Sequence, residues 1–166
     1  MNRKFIFTES TKIDLDISTP IQLYNWMNKN LRYKQFNKLM SAEEVYEKKT
    51  GSCHDFVQFE DYFFKKFDNI LKYGKLFAIE YSPGKKEGGR THSFIWFINK
   101  DKYYWFEYAW PTNKGINGPY DSLDDLEEDF EYRMLKDSKY EGVKFSSIKG
   151  VKPGMTLDEY VKACLK

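Results

Sequence analysis

Three stretches of strand-forming residues, 76–81, 91–98 and 103–110, follow one another with no helical pattern between them, and this succession constrains the fold more than any other feature of the chain. All three are rich in aromatic and β-branched side chains, which suit a pleated, largely buried surface. The second and third are joined by Asn99, Lys100, Asp101 and Lys102, a short polar connection suited to a hairpin. Both faces of that hairpin are apolar, so its strands belong inside a sheet with a helix over at least one side.

The spacing supplies that helix. From Cys53 onward Phe56, Phe59, Phe63, Phe67, Ile70 and Leu71 recur every three or four residues, with Glu60, Asp61, Lys65 and Lys66 between them, which predicts an amphipathic helix from Cys53 to about Lys72. Upstream, Pro20 follows Ser18 and Thr19, and Leu23, Trp26, Met27 and Leu31 continue at helical spacing. Ser41 with Glu44 has the form of a capping box and opens a short helix that ends before Gly51. Downstream, Leu123, Leu126, Phe130 and Met134 read as another helix, residues 143–148 as a strand and 156–165 as a terminal helix. There is no repeat and no Pro- or Ser-rich linker, and 166 residues suit one domain spanning 1–166. The expected class is α+β, with the Cys53 helix packed on an antiparallel sheet.

Composition narrows the partners. The 27 basic and 25 acidic residues leave a formal charge of +2, which calls for no nucleic-acid surface. The N-terminal MNRKFIFTESTKIDLD is interrupted by charge before any run reaches signal-peptide length, and no stretch approaches the ~18 apolar residues of a membrane span. A soluble, cytoplasmic protein with no membrane partner is expected. The two cysteines, Cys53 and Cys164, are too few for a disulfide framework, which leaves one to be kept for reactivity.

Only His54 and His92 can serve a histidine-dependent mechanism. Cys53 opens a predicted helix, where unpaired N–H groups and the macrodipole favour a thiolate. The adjacent His54 and Asp55 point away from it in a helix, so the three cannot form a triad. His54 is expected to be exposed or to stand behind the site, and Asp55 to satisfy N–H groups of the first turn. His92, near the start of the second strand, and Glu107, near the end of the third, lie at the same end of the hairpin. With an even loop the two share a face, directly opposite for a two-residue loop and diagonal for a four-residue loop, about 5–8 Å apart at Cα. A carboxylate inside the apolar run from Trp105 to Trp110 needs a partner, and His92 is in reach.

These residues resemble a known family. Lys49-Thr50-Gly51-Ser52-Cys53-His54-Asp55-Phe56 is similar to the G-x-C-x-D start of the nucleophile helix in the transglutaminase-like superfamily of papain-related enzymes. Thr91-His92-Ser93-Phe94 resembles its histidine strand, and Tyr104-Trp105-Phe106-Glu107-Tyr108-Ala109-Trp110 the strand of its third member. The stretch from Trp26 to Tyr33 is similar to the helix preceding the nucleophile in small bacterial members, and the resemblance spans residues 20–125 in the order Cys, His, acid. The acid is Glu where Asp is commoner.

The resemblance implies thiol chemistry at amide or ester carbonyls of a protein or peptide substrate: a peptidase, amidase, deamidase or transglutaminase. Cys53 would attack, His92 would shuttle the proton and Glu107 would hold the imidazole. The backbone N–H of Cys53 would stabilise the oxyanion, with Trp26 and Gln35 as upstream candidates for a second donor. A binding module that keeps the fold without the reaction is the alternative. Two rival motifs fail. Gly84, Gly89, Arg90 and Thr91 follow phosphate-loop spacing but lead into a strand, so residues 82–90 read instead as a mobile loop shaping the cleft mouth. No Cys or His pair has zinc-ligand spacing, and neither metal nor cofactor is expected.

Overall fold

The computed structural model describes residues 12–166, so the charged N-terminal stretch lies, through Thr11, outside the described residues. In chain order the elements are helix α1 (Pro20–Asn30), strand β1 (Arg32–Tyr33), α2 (Ala42–Lys48), β2 (Thr50–Gly51), α3 (Cys53–Phe64), β3 (Lys72–Tyr81), β4 (Thr91–Asn99) and β5 (Lys102–Glu107). They continue through a short 3-10 turn (Pro111–Asn113), β6 (Gly115–Tyr120), α4 (Leu123–Leu135), β7 (Gly142–Ser147) and α5 (Leu157–Cys164). Strands β6-β5-β4-β3-β7 form one antiparallel five-stranded sheet, and β1 pairs with β2 in a separate parallel contact. The class is α+β. None of these helices is long and apolar enough to cross a membrane.

Alternation along the strands builds two buried layers. On one face Phe77, Ile95, Phe97 and Phe106 join Phe56, Phe59, Phe63 and Phe64 of α3 and Leu23 and Met27 of α1. On the other, Leu76, Ala78, Phe94 and Trp105 meet Leu126, Phe130 and Met134 of α4. The central strand β4 is therefore covered on both sides, as its two apolar faces require. The Phe94 and Phe130 rings, stacked 4.4 Å apart, seal the second layer.

The predicted boundaries shift in four places, one being the third expected strand, β5, which ends at Glu107 rather than Trp110. Helix α3 stops at Phe64 rather than near Lys72, and tighter turns follow, with Phe67 N–H donating to Phe64 and Ile70 N–H to Phe67. Those three-residue turns keep Phe67 and Ile70 buried, which is why the periodicity outlasts the helix, while Leu71 is exposed. Strand β3 begins at Lys72 and runs straight through Gly74, where an added Cβ would fall 2.5 Å from the Trp96 indole. Gly74 is thus a packing site inside a strand, not a break. The hairpin turn holds only Lys100 and Asp101, at φ 49° and 64°, because Asn99 and Lys102 already pair. Strand β6, rich in Gly, Asn and Pro, was outside the expected pattern, and its Pro119 is tolerated because β6 is a sheet edge.

Candidate active site

The turn into α3 is fixed by its own sequence. An added Cβ at Gly51 would lie 2.9 Å from the Asp55 Cβ, so the backbone can approach the helix this closely only as glycine. Asp55 accepts hydrogen bonds from the Ser52 N–H and hydroxyl at 2.8 and 3.0 Å, and from the Met40 N–H at 2.8 Å. One buried carboxylate thereby caps α3 and ties it to the segment preceding α2, which holds Cys53 at the first helical position. The expected local role of Asp55 is met and extended by the bond to Met40.

His92 and Glu107 project to the same face. Ile95 lies opposite Phe106, so Glu107 falls opposite Phe94, one step along the face from His92. This is the diagonal arrangement, reached with a two-residue turn, because that turn is centred between Lys100 and Asp101 rather than one residue earlier. Glu107 Oε1 bonds His92 Nε2, and Oε2 accepts the Trp110 N–H at 2.9 Å. The imidazole is enclosed by the rings of Phe94, Phe130 and Trp110 at 6.3, 5.9 and 5.7 Å. With Nε2 committed to the carboxylate, Nδ1 is the nitrogen left to exchange a proton.

Cys53 and His92 line one open cleft of about 190 Å³ together with Tyr33, Arg90, Thr91, Ala109, Trp110, Pro111 and Met134. Burial pushes the Cys53 thiol up, but the hydrogen bonds of His54 and His92, together with the charge of His92, outweigh it and bring the pKa down to about 6. Burial opposes the charged form of His92, yet the negative charge of Glu107 and the Cys53 sulfur raise its pKa well above the ordinary value. The two shifts describe one coupled pair, thiolate beside imidazolium. Arg90 anchors the start of β4: its guanidinium contacts Glu80 at 2.5 Å and the Met134 carbonyl at 2.7 Å. The loop across residues 82–90 is fastened at its far end, where Gly89 N–H donates to Glu80 and an added Cβ at Gly89 would strike Tyr140.

His54 is neither exposed nor turned away from the thiol. It is buried, with Nδ1 3.7 Å from Cys53 Sγ and 2.7 Å from Ser93 Oγ, and its ring packs 4.4 Å from Tyr160. Cys53 and His54 open on different crevices and form no triad with Asp55; of the two expectations for His54 the structure fits the second, a ring behind the thiol, held there by α5 and β4. Glu60 and Asp61 are buried as well, since α3 is covered nearly all round. Asp61 is bonded by Tyr73, Lys65 and Lys75. Glu60 Oε2 has no partner among the described residues, and burial together with the nearby charge of Glu107 raises its pKa well above the carboxylate range. Its signal was present in the sequence, because position 60 is in phase with Phe56 and Phe63.

The candidate second oxyanion donors lie apart from the cleft. Trp26 stacks on Tyr46 and Phe59 at 6.0 and 5.5 Å and belongs to the core layer. Gln35 is exposed and borders a separate crevice beside Ser52, His54 and Tyr160. The Cys53 N–H, heading α3, is by contrast one of the groups a helix leaves unbonded. Among the described residues no three His, Cys, Asp or Glu side chains group as metal ligands would. No family model and no curated protein matches this sequence.

Proposed function

We propose that this chain is a thiol enzyme of the transglutaminase-like type, with a papain-like core, transferring the acyl group of an amide through a thioester. The observation that carries the reading is a thiol at the head of α3 that shares one cleft with an imidazole bound to a buried carboxylate. The Cys53 thiolate attacks the carbonyl carbon, and the negative charge that develops on oxygen falls near the Cys53 N–H. The His92 imidazolium gives its proton to the leaving amine as the C–N bond breaks. The thioester then accepts water or a second amine, whose proton returns to His92 as the C–S bond breaks. Glu107 holds the imidazole in register and balances its charge. An open cleft with Trp110 and Tyr33 at its walls suits an extended peptide segment.

Electrophilic acyl probes test this directly. Fast labelling confined to Cys53, with a half-point near pH 6 and loss in Cys53→Ser, is the expected result. Labelling that follows an ordinary thiol profile would leave the binding-module reading in its place.

A further inference from the structure

Beyond the nucleophile and its proton carrier, the site contains a second imidazole that this mechanism does not use. His54 Nδ1 stands between two groups, Cys53 Sγ at 3.7 Å and Ser93 Oγ at 2.7 Å. Ser93 Oγ continues to the Tyr160 hydroxyl at 2.9 Å, and Cys164 follows Tyr160 one helical turn on in α5. His54, Ser93, Tyr160 and Cys164 are all buried. The chain thus leads from the candidate nucleophile, between α3 and β4, to the end of α5. Each hydroxyl in it can donate in either direction, and the imidazole can carry its single proton on either nitrogen.

We propose, building on the acyl-transfer reading, that His54 is a positioning residue for the Cys53 sulfur and that the chain through Ser93 and Tyr160 reverses its direction of donation when the thiol ionises. In the thiol state His54 holds its proton on Nε2. Tyr160 donates to Ser93, Ser93 donates to the bare Nδ1, and the S–H points at the same nitrogen. When the thiol proton passes to His92, a bare Nδ1 facing a thiolate becomes unfavourable. By exchange with water in the crevice that His54 lines, the His54 proton then occupies Nδ1, shared between Sγ and Ser93 Oγ, while Ser93 donates to Tyr160 and the Tyr160 hydrogen turns along α5 toward Cys164. The proton count on His54 is unchanged and only its tautomer differs. Cys164, whose thiol burial pushes up to about 11, stays protonated in both states.

The other titratable groups that interact with the thiol are Tyr33 from β1, Glu60 on α3 and His92 from β4, with Glu107 of β5 behind His92 and Asp55 turned to Ser52 and Met40. None of them is altered by the test. Two conservative substitutions separate the chain from simple packing. Tyr160→Phe keeps the ring stack but leaves the Ser93 hydroxyl with Nδ1 as its partner, which favours the thiol arrangement. The alkylation half-point of Cys53 should rise by about half to one pH unit. Ser93→Ala removes the group competing for the Nδ1 proton, and the half-point should fall by about half a unit. Iodoacetamide labelling across pH, with the melting temperature of each variant, reads both effects.

A structural role would lower melting temperatures and leave both half-points in place. Opposite shifts in the two variants support the chain. Unmoved half-points, or shifts of the same sign, overturn it while the nucleophile assignment stands. A wild-type half-point near 9 would overturn the nucleophile assignment and this inference together.

Discussion

The start of α3 and the end of α5 each carry a free, buried cysteine, and the two ends give the same side chain opposite properties. Cys53 is the first residue of its helix and Cys164 the last of its own. The macrodipole favours an anion at the first position and opposes one at the second. Burial penalises the thiolate at both. At Cys53 two imidazoles overcome that penalty and bring the pKa to about 6, whereas Cys164 has only the Tyr160 hydroxyl to offset it and stays near 11. Burial alone therefore does not decide whether a cysteine is inert. The groups set beside it do, and at Cys53 these are His54 of its own helix and His92 from β4 with β5 behind it.

The comparison breaks most completely if His92 is removed. His92→Ala deletes the cationic partner of Cys53 and strands Glu107 in the layer beneath α4. Cys53 alkylation at pH 7 should slow about ten- to hundredfold as its half-point moves toward the ordinary thiol range, while the Cys164 profile stays fixed. A buried carboxylate without its partner should also cost about 3–5 kcal/mol, read as a lower midpoint in urea. An unchanged ratio of the two cysteine labelling rates would show that β4 does not set the difference.

Glu107→Gln sharpens the same contrast with a smaller effect. The wild-type carboxylate accepts from His92 with one oxygen and from the Trp110 N–H with the other. An amide has one acceptor oxygen, so it either loses one of these bonds, at about 1–3 kcal/mol, or keeps the Trp110 bond and donates its NH2 to a bare Nε2, which moves the imidazole proton to Nδ1. The imidazole also loses its counter-charge, and Cys53 labelling at pH 7 should slow about three- to tenfold. The residue is thus structural and electrostatic at once, and both readouts should move together. A lower midpoint with unaltered labelling would confine Glu107 to the role of a buried tether.

How much of this could be read from the sequence follows from which signals are local. The helix start at Cys53 was legible because Gly51, Ser52 and Asp55 are adjacent and each has a local reason to be there. The shared face of His92 and Glu107 was legible because strand periodicity is two and the loop is short. Their diagonal offset needed the turn centre, which Asn99 pairing with Lys102 decides. The surroundings of His54 were not legible, because Ser93 and Tyr160 arrive from β4 and α5, distant in the chain. Nor was β6, whose Gly115, Gly118 and Pro119 carry no strand pattern and are held by pairing with β5. Glu60 is intermediate: its helical phase was visible, but its depth depended on α3 being covered on nearly every side.

Glu60 gives the smallest effect on the comparison and the clearest sign. It is buried on α3 with one carboxyl oxygen unpartnered among the described residues. Burial, reinforced by the charge of Glu107, raises its folded-state pKa well above 4.5, so the folded protein keeps a proton that the unfolded chain releases. The folded state then binds more protons than the unfolded state above that pH, and stability falls as pH rises toward the folded pKa. The slope is up to about 1.4 kcal/mol per pH unit. Glu60→Gln preserves the shape and abolishes this titration. Its melting temperature should approach that of wild type near pH 4 and exceed it by a widening margin toward pH 8. The Cys53 half-point should stay within a few tenths of a unit, because a neutral acid exerts little field on the thiolate. A gap of constant size across this range would mean that Glu60 does not titrate on unfolding. A shifted Cys53 half-point would mean that it is ionised beside the site, and the low pKa of Cys53 would then be maintained against a third negative charge.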